Sequence, residues 1–223
     1  MNTTWQSHQG QQRRRNNDAV AIGYVQRTVT NSAKRCLLAI VVDAAEKTNR
    51  GQVFAQHWAN TIIHKATNTS AYTSPELLIE LMHQQQKQLR HHYLHDIASY
   101  CLLRLELNSG CFQLLNVGDC QAGIQHNQQS GDVEWLVTPH QINQHYLTRS
   151  LNAKRFLRPD IIESTLVEND QLLLCTDGYW CEHLQQKIPI GQLADDASVL
   201  TISHGQQQLS MTTDAYNLFV SYR

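Results

Sequence analysis

The chain has 223 residues, a formal net charge of −1 and 17% charged residues. That length predicts one domain with a sizeable core, spanning 1–223. The near-neutral balance supplies no field for nucleic acid or an anionic membrane, and three arginines at 13–15 are too few to make a nucleic-acid site.

Residues 1–17 are polar and rich in Gln, Asn and Arg. Ala19–Tyr24 and Cys36–Val42 read as adjacent antiparallel strands joined by a turn at Thr30-Asn31-Ser32. Gln52–Lys65 carries apolar residues at helical spacing (Val53, Phe54, Trp58, Ile62, Ile63). Ser74-Pro75-Glu76 starts a second helix, with Ser as cap, Pro in the first turn and an acid at the positive end. Its apolar positions carry it to about Leu94. Strands follow at Ser99–Leu107 and Cys111–Val117 across an Asn108-Ser109-Gly110 hairpin turn, then a short one through Ile124. Beyond a turn at Gln128–Asp132 comes a run at Val133–Val137. The stretch 139–159 reads as irregular, with room for a short helix. Ile161–Val167, Gln171–Cys175 and Ser198–Ile202 read as strands, and 214–222 as a candidate last one. Between Tyr179 and Ala194 little more than one helix fits. Strands, two helices, then mostly strands predict an α+β layered domain with antiparallel sheets.

The chemistry lies in aspartates at strand ends. Asp18 opens the apolar run Ala19-Val20-Ala21-Ile22, while Asp43 and Asp177 close Leu37–Val42 and Leu172–Thr176. Asp195 and Asp196 precede Ala197–Ile202. Such carboxylates can converge on one point, where their repulsion suits a hard divalent cation. Asp119 reads as a turn residue and Asp132 as structural. Asp96 is open between a helix-end acid and a metal ligand. Arg14 and Arg15 read as solvated.

Six cysteines without C-x-x-C spacing read as buried free thiols of a reducing cytoplasm. The first thirty residues lack a signal-type apolar core, and no apolar run approaches ~18 residues, so a soluble, cytoplasmic protein is expected. His91 and His95 have i, i+4 spacing on the predicted second helix, which could hold Zn²⁺, but an exposed helix end is the preferred reading. No G-x-S-x-G, G-x-x-x-x-G-K-[ST] or G-x-G-x-x-G occurs.

Seven segments in order resemble the motifs of the metal-dependent serine/threonine protein phosphatases of type 2C, the PPM family. Gly10-Gln-Gln-Arg13-Arg-Arg-Asn16-Asn17-Asp18-Ala19 resembles G-x-x-R-x-x-N-[EQ]-D-A, and Asp43 falls where the family has D-G-x-G-G. Asp96-Ile97-Ala98-Ser99-Tyr100 falls near D-x-G-T-T, and Asn116-Val117-Gly118-Asp119-Cys120-Gln121-Ala122 resembles N-V-G-D-S-R-A. Leu147–Leu151 resembles L-T-R-A-L, Leu172–Gly178 resembles L-L-L-C-[ST]-D-G, and Asp195–Val199 resembles D-[ND]-x-[ST]-V.

The resemblance implies a β-sandwich of two antiparallel sheets flanked by helices (four layers, αββα) with a binuclear Mn²⁺ or Mg²⁺ centre at one end. Asp43 would bridge the ions, and Asp177 and Asp195 would bind one of them. Asp18 would be a ligand or an acceptor ordering bound water, and Asp96 could touch a third ion. Arg13 would grip the substrate phosphate. The implied activity is hydrolysis of phosphoserine or phosphothreonine in proteins by water, without a cysteine nucleophile. The partner class is a phosphoprotein, with an opposing serine/threonine kinase by analogy with bacterial members. The alternative is a non-catalytic scaffold that binds a phosphoprotein or a regulatory partner.

The chain departs from the pattern at Asp43-Ala44-Ala45-Glu46-Lys47, where the glycines are lost and no His is near. Ala44 would have to lend its backbone carbonyl to the second ion where the family uses Gly, which predicts backbone strain if that position needs a positive φ. Asn17 replaces Glu or Gln, and Tyr100 stands where a small Thr is usual. The flap over the site, about 138–160, is expected to be shortened.

Overall fold

A computed structural model of the chain describes residues 1–29, 32–126, 132–142 and 146–222. The turns predicted at Thr30-Asn31 and at Gln128–Gly131 lie outside the described residues.

In chain order the structure opens with strands β1 (Asn2–His8), β2 (Asp18–Val29) and β3 (Ser32–Ala44). Helices α1 (Gly51–Asn68) and α2 (Pro75–Gln88) follow. Next come β4 (Ile97–Glu106), β5 (Cys111–Val117), β6 (Gln121–Gln125) and the short β7 (Glu134–Trp135), β8 (Gln141–Ile142), β9 (Tyr146–Leu147) and β10 (Leu151–Asn152). The chain ends through β11 (Asp160–Thr165), β12 (Gln171–Cys175), β13 (Ala197–Ser203), β14 (Gln208–Thr213) and β15 (Leu218–Tyr222).

One sheet has the order β14-β1-β13-β12-β6-β7 and the other β11-β5-β4-β3-β2-β15, with β10 added on β4. Pairing is antiparallel except at two edges, where β14 lies parallel to β1 and β15 parallel to β2.

The strands of the second sheet are buried on both faces, which is why β2 and β3 read as continuous apolar runs. Val20, Ile22, Leu37, Ala39 and Val41 point between the sheets with Trp5, Leu172, Leu174, Leu200 and Ile202. Their alternates, Ala19, Ala21, Leu38, Ile40 and Val42, face α1 and α2. The α1 residues Phe54, Trp58, Ile62 and Ile63 are all at most 1% exposed and repeat at helical spacing. Ser74 caps α2, its Oγ accepting from Leu77 N at 3.3 Å. Among the described residues the outer face of the first sheet carries no comparable helix pair. There a π-helix at Gly178–Gln185 packs Trp180 onto Leu173, Cys175 and Val199. The four-layer architecture is therefore present with one helical layer much reduced. The shortness of the 179–194 segment sets that limit.

Several sequence expectations need correction. The second helix ends at Gln88 and tightens into a 3₁₀ turn at Leu89–His91, so His91 and His95 share no α-helical face and the zinc spacing has no structural basis. The 139–159 stretch holds short strand pairs and, among the described residues, no helix. The 133–137 run reduces to two strand residues. β1 and β14 were not expected as strands. All six cysteines are free, as expected, and four are buried, but Cys111 is exposed and Cys181 only partly buried. Among the described residues no helix is long and apolar enough to cross a membrane.

Candidate active site

Strand polarity gathers the aspartates. β2 starts at Asp18, β3 ends just past Asp43, β12 ends just before Thr176-Asp177, and β13 starts just after Asp195-Asp196. All four termini lie at one end of the sandwich. Asp18 and Asp43 are direct cross-strand partners. Each keeps the parity of the residues that point between the sheets, so both carboxylates enter the gap at its end.

Asp18 is fully buried. Its Oδ2 accepts from Thr176 Oγ1 at 3.0 Å and Ser198 Oγ at 2.6 Å. Those hydroxyls come from the opposite sheet, and Ser198 is tied in turn to Ser7 Oγ at 2.8 Å. The other oxygen, Oδ1, is buried without a hydrogen-bond partner among the described residues. Burial, and then the charge of Asp196, hold the Asp18 carboxyl well above the usual range. Asp43 is raised by burial and then by Asp177, Asp18 and Asp119, and Asp177 by burial and then by Asp119 and Asp195. Asp177 is also within hydrogen-bonding reach of Asp43. Two carboxylates can share that contact only if one of them carries a proton or a cation intervenes.

Asp119 is the turn residue expected, between β5 and β6, and its charge also acts on Asp43 and Asp177. Gly118 sits at φ +100°, and a Cβ there would come within 2.1 Å of Ser99 Oγ. That close approach lets Ser99 Oγ donate to Asp119 Oδ1 at 2.6 Å. The π-helix braces the same turn through Trp180 Nε1, which donates to the Asp119 carbonyl at 2.9 Å. Asp96 lies one step along the same edge, at the start of β4. Its carboxylate accepts from Thr48 Oγ1 and so ties down the loop that follows Asp43.

Arg13 grips Asp195 with Nε and Nη2 and approaches Glu46 at 3.7 Å. The hydrogen bond to Asp195 is the main reason its guanidinium is held above the ordinary arginine value. Asp196 does different work. Its two oxygens accept from Gly10 N at 2.9 Å and Asn17 N at 2.7 Å, fixing both ends of the segment that carries Arg13. Gly10 is required there, since a Cβ would lie 2.3 Å from the Asp195 carbonyl carbon. Burial outweighs those two bonds and pushes Asp196 up to about 6. Glu182 of the π-helix accepts from Ala194 N at 2.7 Å and holds the turn before Asp195. Arg14 and Arg15 are exposed, as expected.

Two of the flagged departures prove harmless to local geometry. Tyr100 is buried on the helix side of β4, against Trp58 at a ring separation of 6.1 Å, and so points away from the carboxylates. Ala44 is an ordinary strand residue opposite Ala98. The positive-φ residues other than glycine are Asn169 and Lys187, so Ala44 carries no left-handed strain among the described residues.

The donor set suits a hard divalent cation: several neighbouring carboxylates whose charges repel, one with a buried oxygen that lacks a partner among the described residues. As they stand, the side chains are not converged on an ion; among the described residues no group of three or more His, Cys, Asp or Glu is arranged to hold one. Asp195 in particular is turned onto Arg13. The nearby thiols offer no alternative nucleophile, since burial pushes Cys101 up to about 12 and raises Cys120 and Cys175 as well.

The Protein phosphatase 2C family model matches residues 7–212, and the chain belongs to that family. Among solved structures it is similar to the serine/threonine phosphatase Stp1 of Staphylococcus aureus (TM-score 0.73, 16% identity, covering 91% of this chain and 94% of that one). It is also similar to the PPM Ser-Thr phosphatase MsPP of Mycobacterium smegmatis in complex with cacodylate (0.65, 19%, 91% and 98%). A third is the serine/threonine phosphatase PstP/Ppp of Mycobacterium tuberculosis (0.66, 13%, 91% and 98%). At these identities the structures speak to the fold. No curated protein matches the chain.

Proposed function

We propose that this member of the family hydrolyses phosphoserine and phosphothreonine monoesters of proteins. In this reading Asp18, Asp43, Asp177 and Asp195, with the Ala44 carbonyl, hold two Mn²⁺ or Mg²⁺ ions, and Asp96 serves a weaker third. Arg13 receives the phosphate, and 138–160 is a reduced flap. The observation that carries the reading is that strand ends bring Asp18, Asp43 and Asp177 to one end of the sandwich, Asp18 directly opposite Asp43, each raised by burial and by its neighbours' charge. When bound, divalent ions supply Lewis acidity that activates water and offsets phosphoryl charge.

The chain's own residues supply the positioning. Thr176 and Ser198 donate to one oxygen of Asp18 and leave the other, among the described residues, without a hydrogen-bond partner. Ser99 and Gly118 fix Asp119 beside Asp43 and Asp177. Arg13 offers paired donors that match two phosphate oxygens, the same donors it now gives to Asp195. Asp196 sets the position of that arginine through the backbone of Gly10 and Asn17.

One observation favours a second reading. Closure of Arg13 on Asp195, beside a loop that has gained Glu46 and lost its glycines, suits a scaffold that binds a phosphoprotein without turning it over.

The test is Mn²⁺-dependent release of phosphate from a phosphothreonine peptide by the wild type and by Asp177→Asn, with melting curves run in parallel. Wild-type turnover that falls by at least about 10²-fold in a folded Asp177→Asn supports the hydrolase. Equal turnover in both proteins refutes the metal assignment. Peptide binding without turnover selects the scaffold.

A further inference from the structure

We infer that a basic cleft beside the loop after Asp43 is a docking subsite for acidic side chains flanking the phosphorylated residue. The inference rests on the phosphopeptide reading above and adds a sequence preference to it.

The cleft has a volume of about 570 Å³ and is bounded by Lys47 and Thr48 on one side, Leu94 and His95 on another, and Asn152 and Lys154 on a third. Ile97 also lines it. No acidic side chain is among these residues. Among the described residues neither lysine ammonium has an ion-pair partner within 4.0 Å. Two further cations stand close by without a carboxylate. Arg50 donates to the His92 carbonyl at 2.8 Å, and Arg90 donates to the carbonyls of Ala153 and Lys154 at 3.1 and 3.2 Å. Backbone carbonyls satisfy these guanidinium hydrogen bonds, and the carboxylate beside the cleft, that of Asp96, is buried and held by Thr48 Oγ1. Lys47, Arg50, Arg90 and Lys154 thus outnumber Asp96 around the cleft, in a chain whose net charge is −1.

The cleft is built, and it is close to the site. Asn152 Oδ1 accepts from Lys154 N at 2.9 Å and Arg155 N at 3.0 Å, so the turn presenting Lys154 is fixed. Asn152 pairs with Ile97 on β4, and Ala45 N donates to the Ile97 carbonyl at 3.1 Å. Two residues along the same strand, Ser99 pairs with Asp43. An extended peptide advances about 3.3–3.6 Å per residue, so a residue one to three places from the phosphorylated one spans that distance. Leu94 and Ile97 offer apolar surface to the methylenes of Asp or Glu, while Lys47 and Lys154 meet the carboxylate. A second phosphate would satisfy the same donors.

Two fluorescein-labelled peptides test the inference. Both carry a non-hydrolysable phosphonate in place of phosphothreonine; one has Asp and Glu flanks, the other Asn and Gln. Binding to the full chain in Mn²⁺ is read by anisotropy. The acidic peptide should bind roughly three- to tenfold tighter at low salt, the sum expected of two exposed ion pairs, and the margin should shrink as salt rises. Lys47→Gln/Lys154→Gln should bring the two affinities to near parity. Arg35→Gln/Lys65→Gln, which removes the same charge at the far end of the sandwich and of α1, should keep the margin.

A margin that survives Lys47→Gln/Lys154→Gln, or no margin in the wild type, overturns the inference. So does displacement of the acidic peptide by a short single-stranded oligonucleotide that binds more tightly than it does. Turnover of the hydrolysable twins separates the two claims. Preferential binding with no turnover leaves the cleft standing and refutes the hydrolase. Turnover of both twins without preference overturns the cleft alone.

Discussion

Without a cation the protein should lose stability as pH rises from about 4 to about 6.5. The sign follows from the carboxyls at the sandwich end. Asp196 is raised from 3.8 to about 6, chiefly by burial. Between those values the folded state keeps a proton that the unfolded state releases, so each step up in pH favours unfolding. The shift corresponds to roughly 3 kcal/mol, lost by the time pH passes the folded value. Asp18, Asp43, Asp119 and Asp177 are shifted in the same direction and extend the loss upward. His126, raised by hydrogen bonds with Glu134 and Asp170, has the same sign, because its contribution also disappears as pH rises through its folded value. Asp160 opposes them, but only at lower pH. There the bonds from Arg149 and His140 outweigh burial and hold it below its ordinary value, so its contribution is lost as pH falls. For a chain of this size, 3 kcal/mol is about 6–12 °C in Tm. Scanning fluorimetry from pH 4.5 to 8 in chelator should show that decline. In millimolar Mg²⁺ or Mn²⁺ the decline should flatten or reverse. Ions bind the deprotonated cluster, and saturation to 100 Kd contributes about 2.7 kcal/mol. A Tm in chelator that climbs steadily over this range would refute the argument, and so would curves that coincide with and without the cation.

Asp18→Asn should flatten the chelated pH profile and shrink the Mn²⁺-induced Tm shift, because it removes a buried charge facing Asp43; a loss above about 2 kcal/mol in chelator would instead mark Asp18 as an indispensable structural acceptor. Ala44→Gly should cost about 1 kcal/mol in urea unfolding and leave Mn²⁺ affinity unimproved by titration calorimetry, since Ala44 sits in unstrained strand backbone. Trp180→Phe removes the bond to the Asp119 carbonyl and should cost about 1–2 kcal/mol by the same unfolding assay. Arg13→Ala should raise KM for a phosphopeptide more than it lowers kcat, and should tighten Mn²⁺ binding, because Asp195 is released from its competitor.

The strand-end aspartates were legible because strand termini are visible in a sequence. Asp18 and Asp43 flank runs so apolar that both faces of β2 and β3 had to be buried, and that burial fixes where the carboxylates emerge. What supports them was hidden. Thr176, Ser198 and Glu182 act through contacts far apart in the chain, and a hydroxyl inside a strand leaves no local mark. Asp119 was legible as a turn residue, but its nearness to Asp43 and Asp177 was not, for a related reason. Its environment is made by Ser99 on another strand, through the space left by Gly118. β1 escaped notice because two of its three inward residues, Thr3 and Ser7, are polar and only Trp5 is apolar. β14 and β15 are edge strands with little buried surface and so have weak alternation. The second helix was overextended because Leu89 and Tyr93 remain buried after the helix tightens, which continues the apolar pattern past its end.

Arg13 and Asp195 were expected to have separate tasks, one on phosphate and one on a cation. In the structure each is the other's partner, which ties the two tasks together. Asp195 cannot offer both oxygens to a cation while they accept from Nε and Nη2, and Arg13 cannot present those nitrogens to phosphate while it is so held. If, as proposed, Asp195 binds a cation and Arg13 a phosphate, a cation that draws Asp195 away frees the guanidinium, and a phosphate that draws Arg13 away frees the carboxylate. In that reading linkage requires each ligand to tighten the other by the same factor. The free energy of the closed pair sets the size of that coupling, and Glu46 at 3.7 Å adds to the hold on the arginine. The position of Arg13 is not free to relax, because Asp196 pins the backbone on both sides of it through Gly10 and Asn17. In the proposed reading the substituted loop therefore bears on the site less through the backbone of Ala44 than through the carboxylate of Glu46, which competes for the guanidinium of Arg13.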